Sequence, residues 1–223
     1  SFFDEVAIEQ ALQLRDRFGG QVTAVTVGTG KATDALRRAV AMGANRAIQV
    51  DDPAVAGLDG VGVARALAAV IRVESADLVL CGKASLDLEA GVVGPALAEF
   101  LGLSHLSEVV ELDLADDGSS LVGARVVEGG RVRERCALPA LITAGKGLAQ
   151  PRVPPVTGVM KAMRTPIDRR SMADLGLAEP AAGWEVRTHH PPPKRAAVRM
   201  REGEFPANVD ALVAALADEG VLP

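Results

Sequence analysis

The chain has 223 residues, 48% apolar and 24% charged, with a net charge of −5. That balance fits a soluble globular protein of one large domain or one domain with an extension. The acidic charge, 3% aromatic content and absence of tyrosine argue against a nucleic-acid surface, which needs a basic face and stacking rings.

The opening residues 1–4 read as a capping box, with Ser1 as N-cap and Asp4 at the third helical position. Ile8, Ala11, Leu12 and Arg15 follow at helical spacing. The β-branched run at 21–27 predicts a strand. Residues 31–43 predict a helix with Ala32, Ala35, Leu36, Ala39 and Val40 on one face, and Gly43 stands where a C-cap favours positive φ. A strand at 46–50, a helix at 62–75, a strand at 77–81 and a helix at 92–102 complete the alternation. This order with short connections predicts a doubly wound, mostly parallel α/β sheet. Such a domain normally opens on a buried strand, so a first strand is expected before Ser1.

After residue 105 the pattern changes. Strands are expected at 107–114, 120–127 and 131–138, with hairpin signals at 115–119 and 128–130, and a further strand at 139–144. Residues 145–168 are rich in proline and basic side chains and show no periodicity. A second extended stretch is expected at 188–195. The chain closes on an amphipathic helix with Val209, Leu212, Val213 and Leu216 on one face and Gly220 beyond its end. The expected organisation is an α/β domain at 1–146, an arm at 147–168 and an extended tail with terminal helix at 169–223.

Ligands of open parallel sheets bind beyond the carboxyl ends of the strands. The loops expected there are 28–30, 51–60 and 82–93. The last leads into a helix whose free N–H groups and positive dipole end suit an anion, with Gly91 and Gly94 allowing close approach. It is neither a P-loop nor a dinucleotide fingerprint. The alternative is that these glycines only set turns and helix–sheet contact. His105, His189 and His190 have no metal spacing, no serine sits in a nucleophile elbow, and Asp87 and Glu89 fit caps or a ribose hydroxyl. No catalytic constellation or metal site is expected. Cys81 and Cys136 are expected as buried thiols in a reducing cytoplasm. No run approaches the ~18 apolar residues of a membrane helix, and none has the build of a secretory signal.

Four stretches together, "FFDEVAIEQALQLRD", "RRAVAMGANRAIQV", "ADLVLCGKASLD…GVVGPALAEFLGL" and "LPALITAGKGLAQPRVPPVTGVMKA", resemble the β subunit of electron transfer flavoproteins. The order is kept through about residue 168, and "PPPKRA" before a final helix also fits. The resemblance implies an adenine nucleotide hydrolase-like fold, with the first strand upstream of Ser1. It implies a heterodimer with an α subunit that holds a redox FAD, a structural AMP on the β chain, and electron flow from flavin-dependent dehydrogenases to a downstream oxidoreductase. By position, the AMP-contacting segments fall on Ser1, Phe2, Phe3 and Asp4, on Val27, and on Gly82, Lys83, Ala84, Ser85, Leu86, Asp87, Leu88, Glu89, Ala90, Gly91, Val92 and Val93. Phe3 matches the family phenylalanine near the FAD ring. The family's partner-docking anchor, usually Leu, falls on Val156, with Val159, Met160 and Lys161 following; Arg152, Lys161 and Arg164 are expected to steer it to an acidic rim.

The chain departs from the family where hydroxyl or amide side chains are common: it carries Ala90, Val92 and Val93, so only backbone donors remain there. A subset of the family places a second FAD in the AMP pocket and splits electron pairs. A non-redox adenine-nucleotide module is the other alternative; it has no use for a long arm at 147–166. A hydrolase or ligase would need a pyrophosphate loop after the first strand.

Overall fold

A computed structural model describes residues 1–177, 187–188, 190–194, 197–198, 200 and 202–222. The chain divides into two units, Ser1–Glu185 and Val186–Pro223. In the first, the capping box closes as the sequence predicts. Ser1 Oγ accepts from the Asp4 N–H, and the Asp4 carboxylate accepts from the Ser1 backbone nitrogen at 3.0 Å, which opens helix α1 (Phe2–Phe18). Strand β1 (Thr23–Val27), helix α2 (Ala32–Met42) and strand β2 (Arg46–Val50) follow, with Gly43 ending α2 at φ 134°. Helix α3 (Gly60–Glu74) starts two residues before the expected point because the Asp59 carboxylate accepts the Gly62 N–H at 2.7 Å. Strand β3 (Leu78–Gly82) and helix α4 (Val93–Leu101) complete the alternation.

Strands β4 (Ser104–Leu114), β5 (Ser120–Val127) and β6 (Gly130–Ala137) form the expected antiparallel meander, and β7 (Ala140–Ala144) returns between β3 and β4, parallel to both. The order in this sheet is β3-β7-β4-β5-β6.

One α-helix and one strand were not visible in the sequence. The stretch at 145–168, which reads as aperiodic, contains helix α5 (Val156–Arg164), and a short strand β8 (Asp168–Arg170) then pairs parallel with β2. Val, Thr and Gly are weak helix formers, so propensity hides α5. Packing against α2 makes it, through Ala162 buried beside Leu36, Val40, Ala41 and Ala47. The prolines at 154 and 155 fit because a helix start needs no N–H from them. β8 is polar throughout and carries no alternation to detect.

A second sheet has the order β1-β2-β8. β1 and β3 each leave one edge without a strand among the described residues. Alternate residues of the parallel strands face opposite layers. Ala24 and Ala47 meet α2, while Val25, Ile48 and Val50 meet Ala66 and Val70 of α3. Val79 and Leu141 meet Leu97 and Ala98 of α4, and Leu80 and Ala144 meet Val6 and Ala7 of α1. Each such fully buried Ile, Val or Leu contributes roughly 1.5–3 kcal/mol.

The second unit contains helix α6 (Ala207–Asp218), on which Val209, Leu212 and Val213 remain exposed. The expected extended stretch at 188–195 includes His189 and Arg195, which lie outside the described residues.

Candidate functional site

The parallel registers align Val27 with Val50 and Gly82 with Ala144, so the loops after these strands leave each sheet together at its carboxyl edge. The N-terminus of α1 meets the loop after β3. The Asp4 carboxylate accepts the Gly82 N–H at 2.9 Å, and Ser1 Oγ donates to the Ala84 carbonyl at 3.3 Å. A Cβ at Gly82 would lie 2.8 Å from Phe3 Cβ and Asp4 Oδ1, so only glycine lets the start of α1 seat this closely. The expected segments 1–4 and 82–93 are therefore brought together.

Residues 85–90 are exposed. Asp87 accepts the Leu88 N–H at 2.8 Å, and its hydrogen bonds, that from Ser85 foremost, hold its carboxyl below the ordinary aspartate range. Gly91 takes φ 64°, and a Cβ there would meet only the Lys83 carbonyl at 3.7 Å. Helix α4 has Val92 as its N-cap, with no side-chain cap bond. The N–H groups of Gly91, Val92 and Val93 have no hydrogen-bond partner among the described residues. They form an uncapped, positive helix start, and Ala90, Val92 and Val93 add no donors.

The two glycines have different jobs. Gly94 is buried, and a Cβ on it would run into Thr143 Cγ2 and lie 3.3 Å from Cys81 Sγ. It is small for helix–sheet contact, not for access by a ligand.

Val27 is half-buried and packs with the β2–α3 core. The loop beyond it is held by buried Gln49, which the sequence did not single out. Its Nε2 donates to the Gly28 carbonyl at 2.8 Å, and its Oε1 accepts from Thr33 Oγ1 at 2.9 Å. A polar residue in an otherwise apolar strand was the available signal.

Phe3 is 8% exposed and lies under the Lys83 ammonium, 5.3 Å from the ring centroid. Its remaining surface, with Lys83, Glu108, Val110, Val126, Gly145 and Lys146, lines a pocket of about 230 Å³. Glu108 sits at φ 50° within the irregular stretch of β4, with its N–H donated to Thr143 Oγ1 at 2.8 Å and its carboxylate 3.1 Å from Lys83 Nζ. A bulge of this kind re-aims a side chain. Lys83 is thus committed to this pocket and to Glu108.

Cys81 and Cys136 are unpaired. Burial, with the Asp4 carboxylate adding, pushes the Cys81 thiol up to about 12. At pH 8 its thiolate fraction is then about 10⁻⁴. Iodoacetamide at that pH is expected to label Cys136 well before Cys81; equal rates would mean that the β3–α4 contact opens. Burial also lowers the pKa of His105. No group of three or more metal-type ligands occurs among the described residues, and no helix among them is long and apolar enough to cross a membrane.

Helix α5 lies with Ala162 inward and Val156, Val159, Met160 and Lys161 exposed, Val156 at 77%. Val153 and Met163 extend the exposed apolar face. Lys161, with Thr157, Met160, Arg164, Thr165 and Pro166, lines a groove along it. Arg152, expected as a steering charge, is instead spent inside the chain. Its Nε donates to Glu9 Oε2 at 2.7 Å and its Nη2 to Glu9 Oε1 at 3.0 Å.

Residues 1–175 match the model of the electron transfer flavoprotein domain family. The chain is 34% identical to the electron transfer flavoprotein subunit beta of Bacillus subtilis (strain 168), over 97% of this chain and 85% of the relative. It is 38% identical to protein FixA of Rhizobium meliloti (strain 1021), over 80% of this chain and 63% of the relative. With the subunit beta of Thermoanaerobacterium thermosaccharolyticum the identity is 36%, over 71% and 60%. The chain thus spans less than two thirds of the length of the last two.

Proposed function

The chain belongs to the electron transfer flavoprotein family, and from that premise we propose that it is the β subunit of a heterodimer that carries electrons from flavin-dependent dehydrogenases to a downstream oxidoreductase. Members of this family are electron carriers, not catalytic enzymes. In this reading the chain is a bacterial-type cytoplasmic protein with the adenine nucleotide hydrolase-like fold.

The observation that carries the nucleotide half of the reading is the uncapped start of α4. The N–H groups of Gly91, Val92 and Val93 have no partner among the described residues and stand at the helix start, which fits the phosphate of AMP by backbone contact alone. The Ser1–Asp4 turn is hydrogen-bonded to Gly82 and Ala84, so it holds the other side of the same loop. The carboxylates of Asp87 and Glu89 lie in the exposed part of this loop and suit ribose hydroxyls better than phosphate. AMP, when bound, would supply no chemistry here; the loop at 82–93 and the Ser1–Asp4 turn would hold it.

The flavin half rests on the pocket at Phe3. Phe3, Lys83 and Lys146 would border the FAD held mainly by the α subunit, where an aromatic ring, two ammonium groups and the Glu108 carboxylate paired with one of them set packing and field. The FAD, when bound, supplies the electron-transfer chemistry; the chain positions it and excludes water. The exposed apolar face of α5 at Val156, Val159 and Met160, with Lys161 beside it, is the surface that meets the dehydrogenase. Binding of a second FAD in the AMP pocket is the alternative within the family. The lack of side-chain donors at 90, 92 and 93 leaves both occupants to backbone contacts.

The test is co-expression with the candidate α subunit. A yellow complex containing both chains, with this chain colourless alone and stoichiometric AMP in its extract, is the expected result. Extracted FAD in excess of one per heterodimer would select the electron-splitting alternative. A valine at 91 is strained at φ 64° and places its branches beside the phosphate approach. Gly91→Val is therefore expected to lose the nucleotide, and stoichiometric AMP in that variant would place the site elsewhere.

A further inference from the structure

The geometry points to Arg152 and Glu9 as a positioning pair that holds the start of α5 against α1, so that the docking face is pre-organised before any partner arrives. This rests on the docking reading of α5 given above. The carboxylate of Glu9 is buried, with the residue 4% exposed, which is costly unless its oxygens are fully paired. They are. Arg152 supplies its Nε at 2.7 Å, its Nη2 at 3.0 Å and its backbone N–H at 3.2 Å, and Gln13 Nε2 adds a fourth donor at 3.0 Å. Arg152 Nη2 also reaches Asp16 Oδ2 at 3.3 Å, two turns further along α1. A planar guanidinium across two carboxylates fixes both position and direction of the backbone it sits on. Burial alone would raise the Glu9 pKa; the hydrogen bonds from Arg152 and Gln13 outweigh it and leave the carboxyl below its ordinary range.

The far end of the helix is held in the same way. Arg37 of α2 donates to the carbonyls of Ala162 and Thr165, satisfying acceptors that the end of α5 leaves open. Between the two arginines, a Cβ at Gly158 would collide with the Ala41 carbonyl oxygen, so only glycine lets α5 lie this close to α2. Held at 152 and at 162–165, the segment between is restrained from swinging, with Val153, Val156, Met160 and Met163 exposed. A partner then meets one conformation instead of selecting it from many, and the affinity is not reduced by the fraction of time the arm is misplaced.

The experiment uses the heterodimer with Glu9→Gln, Arg152→Lys and the double variant. Amide hydrogen exchange of residues 152–164 reports the clamp without reference to docking. It is expected to quicken about tenfold in each single variant and no further in the double, because the two changes break one interaction. The Kd for a dehydrogenase that reduces the wild-type heterodimer should rise roughly tenfold, as when the competent fraction falls to about one in ten. Arg152→Lys keeps the charge, so a fault in both readouts assigns the effect to the guanidinium fork and not to net charge. Unchanged exchange at 152–164, or exchange effects that simply add in the double variant, would overturn the positioning role. Failure of the docking reading looks different: Val156→Asp leaves the Kd alone while the exchange effect persists.

Discussion

Replacing Gly94 by valine is expected to lower the melting temperature by roughly 6–12 °C, from a loss of about 3 kcal/mol at 2–4 °C per kcal/mol for a chain of this size. The first added carbon meets Thr143 on β7 and Cys81 on β3 at once. Thr143 is not free to turn aside, because its Oγ1 accepts the Glu108 N–H at 2.8 Å and that donor sits at a strained, bulged position. Moving α4 outward instead would open the contact of Leu97 and Ala98 with Val79 and Leu141. Gly91→Ala is the control. There a Cβ meets only the Lys83 carbonyl at ordinary contact distance, so the loss is confined to the left-handed backbone, about 1–2 kcal/mol. Thermal melts of the two variants decide the matter. Equal melting temperatures for Gly94→Val and wild type would mean that α4 does not lie on β3 and β7 as described.

That contrast shows what a sequence can and cannot carry. The two glycines stand three residues apart in one loop–helix junction, and pattern alone gives them a single role. Their separation depends on which strand side chains lie beneath, which is set by β7 entering between β3 and β4. Where an element is defined by its own residues, the sequence reading holds. The Ser1–Asp4 box, the strand at 46–50, the positive φ at Gly43 and the meander after residue 105 all follow from local chemistry. Where an element is defined by its neighbours, the reading fails. α5 exists because Ala162 and Gly158 fit against α2, and β8 because β2 offers an edge. The candidate site divides in the same way. The loop at 82–93 was legible as a strand–loop–helix junction. The pocket at Phe3 was not, because Glu108, Val110 and Val126 reach it through β4–β5 pairing and a bulge that has no local signature. Glu9 was missed for a related reason. A glutamate in a helix reads as solvated, and only the arrival of Arg152 from 143 positions away makes it a buried ion pair.

Val156→Asp is expected to weaken docking of a dehydrogenase by about 2 kcal/mol, a roughly thirty-fold rise in Kd, on the scale of an interface hot spot. The exposure of Val156 argues against the competing account, that it packs on its own subunit: the side chain is 77% exposed, and the inward contact of α5 belongs to Ala162. It also makes the substitution clean. Residue 156 is the first of α5, after Pro155 at the N-cap with no side-chain capping bond. An aspartate there faces the positive end of the helix, which favours it by a few tenths of a kcal/mol. Melting temperature, flavin content and nucleotide content should therefore stay at wild-type values. The loss falls on the complex, where a charge replaces an apolar contact in the middle of the patch formed with Val153, Val159 and Met160. Because the arm is already fixed by Arg152 and Arg37, the loss should lie in a faster dissociation rate, with association nearly unchanged. The measurement is flavin reduction as dehydrogenase is titrated against wild-type and Val156→Asp heterodimers, with dissociation followed separately. Equal half-saturation would remove Val156 as the anchor and leave the groove between Thr157 and Pro166 as the place to look. A lowered melting temperature in the variant would mean that Val156 braces its own fold after all.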